Sequence, residues 1–157
     1  MPAKFLFDIS AIDLTKVVHG HEDIREVNPQ RDAMEMLDAI VWVDEPKARL
    51  IGYKDITEHD FWVPGHIPGR PLLPGVMMIE AAAQLASFYT RRYLKWTGFV
   101  GFGGLEDCKF RMQVSPPCRL FVVGEKIWDR HGRICCKEQG IVNGSLAFET
   151  TIIGVKM

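Results

Sequence analysis

The stretch from His59 to Gln84, HDFWVPGHIPGRPLLPGVMMIEAAAQ, constrains this chain more than any other. Its first half carries Pro64, Pro68, Pro71 and Pro74, interleaved with Gly65, Gly69 and Gly75. Each proline fixes its own φ, removes a backbone donor and drives its predecessor towards extended conformations. Glycine supplies bends that other residues cannot make. Residues 64–75 are therefore expected to form an irregular, stiff loop, with one imidazole, His66, inside it. At Pro74-Gly75 the pattern changes to VMMIEAAAQLASFYTRRYL, a run of strong helix formers. This helix is apolar on nearly every side over its first four turns, which reads as burial all round. One narrow polar stripe interrupts it: at 100° per residue, Glu80, Gln84, Ser87 and Arg91 fall within about 60° of one another. On residue types alone, a solvated stripe and an exposed loop histidine would account for these positions, since ionisable groups usually face water.

The rest of the chain bounds the alternatives. With 157 residues one domain is expected, large enough to bury a core. A net charge of −1 argues against nucleic acid or an anionic membrane as the main partner. No apolar run approaches the ~18–20 residues that span a bilayer. The N-terminus, with Asp8 and Asp13, does not resemble a secretory signal. Cys108, Cys118, Cys135 and Cys136 form no C-x-x-C pair, so free thiols in a reducing cytoplasm are expected. His19 and His21 are close together, but no further ligand is in sight and no metal site is expected.

Strands are expected in MLDAIVWVD and ARLIGYKDIT, paired across a Glu45-Pro46 turn. Further strands are expected in the glycine-rich run Gly98–Gly104, in DCKFRMQV, in RLFVVGEKIWD, and in the pair RICCKEQGIVN and SLAFETTIIGV. Asp129–Gly132 and Asn143-Gly144 read as hairpin turns, the second as type I′. One long buried helix between groups of antiparallel strands implies an α+β domain. A short helix is expected within TKVVHGHEDIREV.

The loop and helix carry a resemblance. His66-Ile67-Pro68-Gly69-Arg70-Pro71, then Leu73-Pro74-Gly75-Val76, then Glu80-Ala81 and Gln84 resemble the H-F-P-G-x-P-x-x-P-G-V-x-x-x-E-A-x-A-Q signature. That signature belongs to beta-hydroxyacyl-acyl-carrier-protein dehydratases of the FabZ type. The resemblance covers roughly residues 29–155, with Asn28-Pro29-Gln30-Arg31 similar to the family's P-H-R entry. It implies a hot-dog fold, an antiparallel sheet wrapped around one long central helix, over residues 29–157, with 1–28 as an N-terminal extension. It also departs in places. Asp32, Ala33 and Met34 stand where the family has Tyr-Pro-Phe, Ile67 replaces a phenylalanine, and Pro117-Cys118 replace Gly-Asp.

The implied activity is dehydration of a (3R)-3-hydroxyacyl thioester to the trans-2-enoyl product. Such an elimination needs a base at C2 and an acid at the C3 hydroxyl, each within hydrogen-bond reach. The resemblance assigns these catalytic roles to His66 and Glu80, on opposite subunits of a dimer. Gln84, one turn beyond Glu80, is expected to orient the carboxyl, and N–H groups near Gly75 and Val76 to stabilise charge on the thioester oxygen. Glutamate at position 80, where the branch that also isomerises has aspartate, points to the dehydratase-only branch. No cofactor is implied. The implied partners are an acyl carrier protein bearing the phosphopantetheine thioester and further copies of this chain, as a homodimer or a hexamer of three dimers. Arg91, Arg92, Lys95, Lys109 and Arg111 are candidates for meeting the acidic carrier. A hot-dog thioesterase would need one carboxylate and a water, with no part for His66. A non-catalytic acyl-binding subunit would tolerate the loss of either residue.

Overall fold

A computed structural model describes residues 4–157. The expected helix spans Gly75–Arg92 (α2), and Met77, Met78, Ala81, Ala82, Leu85, Ala86 and Phe88 are all buried along it. A short helix, His21–Val27 (α1), precedes it, followed by a single 3₁₀ turn over Asp32–Met34. Six strands complete the chain: Ala39–Asp44 (β1), Arg49–Ile56 (β2), Val100–Phe110 (β3), Cys118–Arg130 (β4), Arg133–Val142 (β5) and Ser145–Lys156 (β6). They form one antiparallel sheet in the order β1-β2-β4-β5-β6-β3.

Alternation along the strands gives the sheet two faces. Leu50, Leu120, Val122, Ile134, Phe148 and Ile152 belong to the core that contains α2. Val41, Ile51, Val123, Ile141 and Leu146 form a second apolar cluster with Phe7. The N-terminal segment supplies the cover over that second cluster. Phe7 packs against Trp42 with ring centroids 5.5 Å apart, and the Arg49 guanidinium lies over the Phe7 ring. Gln139 fastens the segment by accepting from the Leu6 N–H at 2.7 Å and donating to the Lys4 carbonyl at 2.9 Å. The two sheet edges differ. Main-chain bonds from Val18 and His19 to Ile40 cover part of β1, whereas β3 is open along its length.

One expectation needs correction. Gly98–Gly104 and DCKFRMQV are not separate strands; residues 100–104 of the first and 107–110 of the second belong to the single strand β3, while 111–114 lie beyond it. Leu105, Glu106 and Asp107 look like a break in sequence, but two register shifts against β6 absorb the irregularity. Asp107 takes a positive φ at the second shift. Gly103 belongs to the first, where a Cβ would come within 2.3 Å of Val155. The turn at Asn143-Gly144 has positive φ at both residues, as a type I′ hairpin requires.

Candidate active site

The proline-rich loop holds His66 from both directions along the chain. The His66 N–H donates to the Trp62 carbonyl at 2.8 Å, and the His66 carbonyl accepts from Leu72 at 2.9 Å. Ile67 and Arg70 exchange two main-chain bonds around Gly69, which adopts φ +76°. Leu73 then donates to the Val114 carbonyl, tying the loop to the segment between β3 and β4. The imidazole itself is oriented by Nδ1, 2.8 Å from the Leu72 carbonyl oxygen. A carbonyl only accepts, so Nδ1 carries the proton and the neutral ring presents a free lone pair at Nε2.

A cavity of about 370 Å³ opens beside this ring, lined by His66, Gly75, Val76, Met78, Phe110 and Met112 among others, mostly with apolar surface. The first turn of α2 faces it. Pro74 begins the helix, and the Gly75 and Val76 N–H groups have neither a backbone acceptor nor a side-chain cap. Val76 is 75% exposed, so this helix start is not covered by its own chain. Gly75 lets the Phe110 ring lie close: a Cβ there would come within 2.8 Å of it and the ring would have to shift.

Glu80 belongs to a second cluster. Gln84 Nε2 donates to Glu80 Oε1 at 2.8 Å and to the Met34 carbonyl at 2.7 Å. Gln84 Oε1 accepts from the Met36 N–H at 2.8 Å. That last bond fixes which end of the amide is oxygen, so Glu80 Oε1 accepts from Gln84 and Oε2 is left out of this contact. Gln84 is only 2% exposed, so the polar stripe of α2 is not a solvated face at this position. Asn28 supports the same residue from behind, donating from Nδ2 to the Gln84 carbonyl at 2.9 Å. The structure thus brings His66, Gly75 and Val76 to one cavity and Glu80 to Gln84, while Glu80 is not among the residues lining the cavity beside His66. The supports that the sequence did not reveal are Leu72, Met34 and Met36. They act through main-chain atoms, which leave no side-chain signal.

A family model described as a FabA-like domain matches residues 28–151. The chain belongs to this family. Among curated relatives, the 3-hydroxyacyl-[acyl-carrier-protein] dehydratase FabZ of Geotalea uraniireducens is 32% identical, over 83% of this chain and 91% of the relative. The enzyme of the same name from Caldanaerobacter subterraneus is 33% identical over 65% and 72%. The FabA-like chain also shares its hot-dog fold with solved structures. The dehydratase heterocomplex of Xenorhabdus doucetiae superposes with TM-score 0.71 at 12% identity, over 85% of this chain and 90% of that one. A virulence protein of Campylobacter jejuni superposes with TM-score 0.66 at 18% identity, over 89% and 94%.

Proposed function

We propose that this protein is a 3-hydroxyacyl-[acyl-carrier-protein] dehydratase, with His66 as base and Glu80 as acid. The observation that carries the reading is the paired orientation of the two groups. Nδ1–H of His66 is committed to Leu72, and Oε1 of Glu80 is committed to Gln84. Each residue keeps one free atom of the right kind, a basic Nε2 and a protonatable Oε2. Nε2 of His66 removes a proton from C2, and the charge that develops on the thioester oxygen is met by the Gly75 and Val76 N–H groups. Oε2 of Glu80 protonates the C3 hydroxyl, the C–O bond breaks, and water leaves as the C2=C3 double bond forms. The proton taken by His66 and the one lost by Glu80 balance, which resets the pair through solvent.

His66 and Glu80 belong to separate clusters within one chain, so the complete site is one that two copies form. Phe110 and Met112 link the cavity to the open end of β3, where Phe102, Leu105 and Phe110 are exposed. A long open edge with apolar side chains calls for a partner strand. A second copy joined there brings its own Glu80 to the cavity beside His66, and three such dimers make the hexamer. The carrier protein, being acidic, approaches basic surface around the cavity mouth, and its affinity falls with salt.

The direct test is hydration of a 2-enoyl thioester by purified protein, followed through loss of the conjugated absorbance, beside release of free thiol. Hydration without thiol release is the expected result. Thiol release without hydration makes the protein a thioesterase and overturns the reading.

A further inference from the structure

Beside Gln84, α1 and the turn after it line a small cavity. It has about 10 Å³ open to the centre of a water molecule, the scale of one water. Among the described residues, three polar atoms of its lining have no hydrogen-bond partner: Arg25 Nε, Asn28 Oδ1 and Gln30 Oε1. Asn28 is only 3% exposed. Its amide cannot be turned to escape the cavity, because Nδ2 is held by the Gln84 carbonyl. Arg25 Nε is 3.6 Å from Glu35 Oε2, an ion-pair separation too long for a hydrogen bond. Arg31 holds the turn in place through the carbonyls of Arg25, Asn28 and Gln30.

The chemistry of the three atoms is complementary to a single molecule. One is a donor and two are acceptors; water accepts once and donates twice. A buried polar atom without a partner is unfavourable, so filling the site removes three such penalties at once. We propose that this cavity binds one ordered water, accepting from Arg25 and donating to Asn28 and Gln30, and that the bridge fixes Asn28, which holds the main-chain carbonyl of Gln84, the residue whose side chain orients Glu80. Asn28 and Gln30 are then positioning residues, and α1, which the family match does not include, is part of the acid's support. The positioning half of the inference rests on the dehydratase reading of Glu80; the water site does not.

A crystal structure of the full chain, at a resolution that shows other buried waters, is expected to place one water within hydrogen-bond distance of all three atoms. An empty site overturns the proposal. Gln30→Met keeps the reach of the side chain and deletes one acceptor. In this variant the Glu80–Gln84 contact is expected to open beyond hydrogen-bond length, and kcat for enoyl hydration to fall about tenfold with KM unchanged. Gln30→Glu, which restores an acceptor, is expected to recover most of that loss. Should Gln30→Met fail to fold, Arg25→Met tests the same bridge from the donor side. An intact Glu80–Gln84 contact and unchanged kcat in the variant overturn the positioning role. Absence of hydration in the wild-type chain overturns the dehydratase reading instead, while water occupancy and the Glu80–Gln84 separation still decide this inference.

Discussion

At the scale of single residues, His66 and Glu80, the proposed base and acid, are each held by one hydrogen bond and left free at one atom. General acid–base groups contribute about 10²–10⁴-fold, so His66→Ala and Glu80→Gln are each expected to lower kcat by that much with little change in KM. Steady-state hydration kinetics check this, and the double variant should be far less than multiplicatively worse, since the groups act as a unit. A second carboxyl behaves differently. Glu138 lies on the α2 side of β5, 2% exposed, and its Oε2 has no partner. A Cβ at Gly124 would sit 3.6 Å from its carboxyl carbon. Burial pushes its pKa well above the ordinary 4.5. Below the unfolded value both states hold the proton and stability is full; as pH rises towards the folded value only the unfolded state ionises, and stability falls. Glu138→Leu is expected to remove that decline and to raise stability at neutral pH by roughly 1–3 kcal/mol. Denaturant unfolding of both proteins across the range above pH 4.5 measures it. A variant whose stability tracks the wild type at every pH would show that Glu138 does not ionise on unfolding.

At the scale of elements, the proposed site draws on β3 and α2 of two chains. Charge placed on the open β3 edge, as in Leu105→Lys, is expected to shift the protein towards monomer in sedimentation and to abolish hydration together. Mixing inactive His66→Ala chains with inactive Glu80→Gln chains should restore activity, because half of the mixed sites draw an intact residue from each copy. No recovery, with heterodimers shown to form, would place both groups in one chain. Most of this element-level organisation is legible in sequence. The proline-rich loop, the buried helix and the Asn143-Gly144 turn each have local chemistry that admits few alternatives. β3 is not legible in the same way. Its continuity depends on register shifts against β6, and its glycines are explained by neighbours such as Val155 that lie far along the chain. The clustering of Glu80 with Gln84 follows from helical spacing, but the groups that fix Gln84 are main-chain atoms outside the helix.

At the scale of the whole molecule, the sheet has no wet face over much of its width. The N-terminal segment converts the side opposite α2 into a second core, centred on Phe7 over Val41, Ile51, Val123, Ile141 and Leu146. Phe7→Ala is expected to cost about 3 kcal/mol, read from denaturant unfolding, without altering kcat. Removing residues 1–14 should cost more and expose an apolar face, with light scattering showing self-association. A truncated chain as stable and as monodisperse as the full one would show that the cover is dispensable. The bonds to Met34 and Met36 have a different kind of consequence. Gln84 grips the peptide backbone of this segment and none of its side chains. Side chains at positions 33 and 34 can change without moving the Glu80 carboxyl, provided that the backbone path, with its positive φ at Asp32, is kept. The wall beside the acid is thereby free to drift in size and polarity while the proton-transfer step stays put. Such a layout lets a lineage change its preferred acyl chain by single substitutions, with no intermediate that has lost its chemistry.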